Sequence, residues 1–169
     1  MIRLNNAQWT AIHELSLEVH LAKNEQELIE LVLYRAPEVL GISYTVWHER
    51  SKTEGFSPQR AHLTDVHREE MFARLDVFNE TIPSHPVVVG LEMTEEIVLP
   101  EDEVLSMTDF ASMRQIQETA IHREFYRHVE IGDHAAIEFW HDNDTGVMVC
   151  FNAPKGHTTE GKLMIHLLR

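Results

Sequence analysis

"HAAIEFWHDNDTGVMVCFN", residues 134–152, is the stretch on which the fold turns. Two runs rich in β-branched, aromatic and small apolar residues, HAAIEFWH and TGVMVCFN, bracket Asp142-Asn143-Asp144. That is the form of an antiparallel hairpin, because Asp and Asn satisfy turn amides with their own side chains and tolerate left-handed backbone. The rival reading of DNDTG is the start of a calcium loop. Such a loop needs glycine in sixth place and a bidentate carboxylate in twelfth, whereas Gly146 comes fifth and apolar residues follow.

Upstream of the hairpin, "TDFASMRQIQETAIHREFYRHVEIGD" (108–133) opens on a helix-cap signal and spaces its apolar residues helically. It closes on a Gly132-Asp133 break before the strand. Residues 6–21 and 24–39 carry two amphipathic helices. Asn24 and Glu27 are spaced as a capping box, and Gly41 is placed to end the second helix. "ISYTVWHER" (42–50) then has strand chemistry, with a turn and a short partner strand in 51–60. Met71, Phe72, Leu75 and Phe78 predict a helix from Asp65 to about Thr81, which "PSHPVVV" (83–89) breaks through its prolines. Residues 95–99 and 103–107 are short extended candidates. Thr158 or Thr159 caps a last helix through Leu168, which lacks a stop signal and reads as a polypeptide cut short. This order gives an α+β domain, an antiparallel sheet flanked by helices.

Composition narrows the function. The chain of 169 residues has 28 Asp and Glu against 14 Lys and Arg, a formal charge of −14, which opposes a polyphosphate partner. No run approaches the roughly 18 apolar residues of a membrane span, and "MIRLNNAQW" has no signal core. Cys150 is the lone cysteine and sits in an apolar run, so a buried thiol in a reducing, cytoplasmic compartment is expected. His122 and His128 stand six apart, a poor helical spacing for joint ligation, and neither a His-Glu-x-x-His nor a Gly-x-Ser-x-Gly motif is present. No metal, cofactor or catalytic residue is expected. Aromatic residues are better material for ligand contact: Trp47 on the first strand, Phe78 late in the third helix, Trp140 on the hairpin.

In order, several segments resemble the N-terminal, GAF-like sensor region of LuxR-type transcriptional regulators, in a branch without assigned signals. "NEQELIELVLYRAPEVLGISYTVWHE" (24–49) looks like the family's helix and first strand, and "FNETIPSHPVVV" (78–89) like a helix end leading to a His-Pro step. "SMTDFASMRQIQETAIHREFYRHVEIGDHAAIEF" (106–139) is similar to its Ser-Asp-Phe segment, Phe-Tyr-Arg ending and following strand. "VMVCFNAPKGHTTEGKLMIHLLR" (147–169) looks like its last strand and the helix toward a helix-turn-helix. The resemblance implies a GAF/PAS-like sensor domain over 1–157, with 158–169 starting the helix to a C-terminal helix-turn-helix absent from this sequence. It further implies a homodimer that reaches DNA only through that missing domain, with Phe110, Phe125 and Tyr126 as packing residues.

Relatives that bind acyl-homoserine lactones use an Asp-Pro step whose acid meets the signal's amide, together with a Trp-and-Tyr pair. Here the step is His85-Pro86, and imidazole does not reproduce a fixed carboxylate acceptor. A different small molecule is therefore expected, with Trp47, Phe78, His85 and Trp140 as the pocket residues. The alternatives are a ligand-free structural dimerisation domain, or a small cytoplasmic enzyme using Cys150 or a histidine.

Overall fold

The hairpin forms the centre of a five-stranded sheet in the computed structural model, which describes residues 5–51, 61–92, 103–142 and 144–154. The strands are β1 (Tyr44–Ser51), β2 (Ala61–His62), β3 (Leu105–Ser106), β4 (Ile131–Trp140) and β5 (Thr145–Pro154). They lie in the order β2-β1-β5-β4-β3, and every neighbouring pair is antiparallel. The three long strands occupy the middle. Among the described residues, strands of two residues lie at both edges. The predicted α+β class and antiparallel sheet are the observed ones.

At the turn, the Asp142 carboxylate accepts from the Thr145 N–H, the Thr145 hydroxyl and the Asp144 N–H at 2.7–2.8 Å. The Thr145 donors, foremost among these bonds, hold the Asp142 acid down at about 2. Gly146 is needed just beyond, because a Cβ there would stand 2.7 Å from the Trp140 ring.

Helices α1 (Asn6–Leu21), α2 (Glu25–Glu30) and α3 (Ala36–Leu40) cover one sheet face. Ile12, Leu15, Ile29 and Leu33 pack there on Trp47, Val149 and Phe151. Asn24 caps α2 by accepting from the Glu27 N–H, but the Glu27 carboxylate returns to Lys23 N–H rather than to Asn24. Between α2 and α3, Leu31–Arg35 widens into a π turn, with Ala36 N–H bonded to the Leu31 carbonyl. Pro37 accounts for this: its ring crowds the carbonyl four residues back, and its missing N–H leaves Val32 without a donor in the π register. The Thr45 hydroxyl of β1 donates to that Val32 carbonyl, which fastens the helix to the sheet. Gly41 ends α3 in the left-handed region at φ 65°, as expected, with the Ile42 N–H reaching back to Pro37.

The other face is covered by α4 (Asp65–Phe72), α5 (Leu75–Thr81), α6 (Pro86–Gly90), α7 (Met107–Phe110) and α8 (Met113–Glu118). The single helix predicted over 65–81 is thus two, broken at Ala73-Arg74, where Arg74 N–H makes a tight bond to Met71 O. Residues 108–133 likewise form short pieces rather than one helix. Ser106 with Asp109 and Ser112 with Gln115 each build a capping box, so the segment starts a helix twice. A π turn, His122–Tyr126, follows. The expected Gly132-Asp133 break is instead a bulge inside β4, and the chain reverses at Glu130, which takes φ 57°. The extended candidate at 103–107 holds as Leu105–Ser106, after which Met107 already begins α7. The candidates at 95–99, the turn at 52–60 and the terminal helix at 158–168 lie outside the described residues.

Candidate functional site: a cavity between sheet and helices

Both sheet faces are covered, so β1 and β5 are largely buried at odd and even positions alike. The second face nevertheless differs from the first. Between it and α4–α6 lies a cavity of about 170 Å³, walled chiefly by aliphatic and aromatic side chains such as Val46, Leu63, Phe72, Leu75 and Phe78. Its polar groups are few: His48 and Arg50 from β1, Asn79 from α5, and His85, Tyr126, His134 and Asn152.

His85 owes its position to the prolines around it. Ile82–Ser84 forms a 3₁₀ turn after α5, and the Ser84 hydroxyl accepts from the Ile121 N–H at 2.9 Å, tying this turn to the π turn. Preceding Pro86, His85 is held extended (φ −64°, ψ 130°) and becomes the N-cap of α6. Its Nδ1 accepts from the Val87 N–H at 3.2 Å. The proton of the neutral ring is therefore on Nε2, a buried atom with no hydrogen-bond partner among the described residues, while the residue as a whole is 5% exposed.

His134 arrives from the sheet. It stands opposite Asn152 across the hairpin, and its Nδ1 donates to the Asn152 Oδ1 at 2.9 Å. The His85 and His134 rings meet edge-on at 5.5 Å between centroids. Tyr126, delivered by the π turn, stacks on His134 at 6.0 Å and meets His85 edge-on at 5.9 Å. Its neighbour Phe125 packs on Phe78 at 5.0 Å. On another part of the wall, Arg50 Nε donates to Glu138 Oε1 at 3.0 Å, reaching over β5 from β1 to β4.

Of the four residues picked from sequence, the structure brings two together: Phe78 and His85 both line the cavity. Trp47 lies on the opposite face among α1–α3, with its indole N–H buried and unpaired among the described residues. Trp140 lies two residues beyond Glu138 toward the turn, against Gly146 and away from the cavity. Sequence reading missed His134, Asn152 and Arg50 as cavity residues. A signal for the first two existed, since residues 134 and 152 are equally far from Asn143 in the hairpin.

Burial holds the His85 imidazole well below its ordinary 6.5, and neighbouring His134 adds to this. Burial also lowers His134, against the opposing effects of its bond to Asn152 and the Asp133 charge. Below pH 6.5 the unfolded chain takes up protons that the native rings refuse, so it binds more protons than the native state and stability falls with pH. The contribution is complete above 6.5 and declines by up to about 1.4 kcal/mol per histidine per pH unit below it. Urea unfolding at pH 7.5 and 5.5 should show a steeper loss for wild type than for His85→Phe. Equal slopes would refute the buried neutral ring.

Burial also pushes the Cys150 thiol up to about 12, so it carries no thiolate at neutral pH. Among the described residues, no three His, Cys, Asp or Glu side chains gather as metal ligands would. No described helix is long and apolar enough to cross a membrane.

No family model matches the sequence, and no curated protein does. Among solved structures, the crystal structure of the VqsR LBD domain from Pseudomonas aeruginosa is similar over 97% of this chain and 95% of that one. The TM-score is 0.54 at 9% sequence identity. The likeness is therefore one of fold: an antiparallel sheet flanked by helices.

Proposed function

We propose that this chain is the signal-sensing domain of a LuxR-type transcriptional regulator, and that its cavity binds a small, largely apolar molecule. The observation that carries the reading is the buried His85 Nε2–H, which has no partner among the described residues and belongs to a ring that lines an apolar cavity. A buried donor left without an acceptor costs about 1–3 kcal/mol, and a ligand acceptor placed there would recover it. The fold likeness to a domain named LBD, for ligand-binding domain, supports the same reading.

The ligand class follows from size and polarity. A dry cavity of roughly 150 Å³ holds benzene, so about 170 Å³ suits a body of one ring. An acyl-homoserine lactone is disfavoured because His85 presents a hydrogen where the carboxylate of lactone-binding relatives would accept one. In the regulator, binding would act only through different affinities for two conformations, with coupling of about 1–3 kcal/mol. DNA contact would belong to a separate helix-turn-helix, in a cytoplasmic homodimer. A ligand-free dimerisation domain is the rival, and a buried donor with no partner among the described residues, beside a cavity, is a poor way to build one. An enzyme relying on Cys150 has no thiolate to use.

A thermal-shift screen of small one-ring compounds tests this. A ligand at 100 times its Kd stabilises by about 2.7 kcal/mol, which for a domain of this size raises Tm by about 5–11 °C. Ala136→Met, which fills the cavity from its sheet side, should abolish the shift. A diverse set with no stabilising compound would favour the ligand-free role.

A further inference from the structure

Two of the three histidines that line the cavity, His85 and His134, are locked in opposite tautomers by the protein itself. At His85, Nδ1 accepts the Val87 N–H, so the ring hydrogen sits on Nε2. At His134, Nδ1 faces the Asn152 carbonyl oxygen, a pure acceptor, so Nδ1 carries the hydrogen and Nε2 keeps a lone pair. This Nδ1 bond is the only hydrogen bond the His134 ring makes among the described residues. One ring thus offers a donor and the other an acceptor, edge to face at 5.5 Å, and both line the cavity. Tyr126 touches both rings and fixes their orientation.

We infer that the His85–His134 pair reads a neutral group with an acceptor beside a donor, as in a primary carboxamide or a lactam, carried on a one-ring apolar body. The inference rests on the cavity being the ligand site proposed above. Charge points the same way: Arg50 is already paired with Glu138, so a carboxylate would enter without a cation of its own. A carboxylic acid could supply the same two groups only when protonated. At pH 7 that form is roughly one part in 500 for a group of ordinary acidity.

Toluene, benzamide and benzoate, titrated at pH 7.5 against wild type and His85→Phe, separate the possibilities. In an apolar cavity without hydrogen-bond partners, toluene would far exceed benzamide, whose amide desolvation goes unrecovered. The expected result is benzamide at least equal to toluene, benzoate weakest by 100-fold or more, and a benzamide-to-toluene preference that falls at least tenfold in His85→Phe. Toluene binding tenfold tighter than benzamide to wild type would overturn the polar pair and leave the cavity reading standing. So would benzoate as the tightest probe. Failure of all three at millimolar concentration would overturn both. A second measurement needs no variant: imidazole ¹⁵N shifts of wild type should report Nε2–H at His85 and Nδ1–H at His134, and the same tautomer in both rings would sink the inference.

Discussion

Replacing Glu138 by leucine should lower the unfolding free energy by about 3–5 kcal/mol, as expected when one partner of a buried ion pair is removed. Arg50 and Glu138 are 6% and 0% exposed, and the bond between them spans the central strand. Each charge was taken out of water at a cost that the other helps to offset. With Glu138 gone, the guanidinium remains at the cavity wall without its carboxylate. The double variant Arg50→Met/Glu138→Leu should regain most of the loss, because apolar residues of similar volume commonly serve a buried site as well as the ions did. Urea unfolding of the two single variants and the double variant closes a mutant cycle. Additive losses would mean that the two charges are not coupled, and that the cavity wall holds them for separate reasons.

The hairpin was legible because two independent signals agreed: strand composition on both arms and an Asx-rich turn between them. The caps at Asn24 and Gly41 were legible for a similar reason, since a cap is a local interaction between residues a few positions apart. The cavity was not. Strand parity assigns Val46, His48 and Arg50 to one face and Trp47 to the other, but helices bury both faces. Apolar character therefore cannot say which face keeps the space. Trp47, the largest apolar side chain on β1, belongs to the well-filled face. The breaks at Ala73-Arg74 and along 107–126 also escaped, because the apolar spacing carries on across them while the backbone does not. His85 was visible through its proline neighbours, whereas His134 required pairing the hairpin residue by residue.

Phe125→Ala should cost about 3–5 kcal/mol, the range for truncating a buried aromatic ring. Phe125 is 1% exposed, packs on Phe78, and forms part of the cavity wall. Its loss therefore joins new space to a cavity that already exists, and the neighbours have little means of closing it. Phe78→Ala should cost less, since Phe78 is only half-buried at the end of α5. The two rings touch, so the pair should not be additive. Benzene gives the sharper reading. An enlarged apolar cavity binds it, so saturating benzene should stabilise Phe125→Ala more than wild type, and calorimetric Tm values with and without benzene measure the difference. If Phe125→Ala loses under 1 kcal/mol, or benzene stabilises it no more than wild type, the helices above the sheet must close over the vacated volume. A layer that collapses so readily would be too compliant to hold the two imidazoles in fixed orientation.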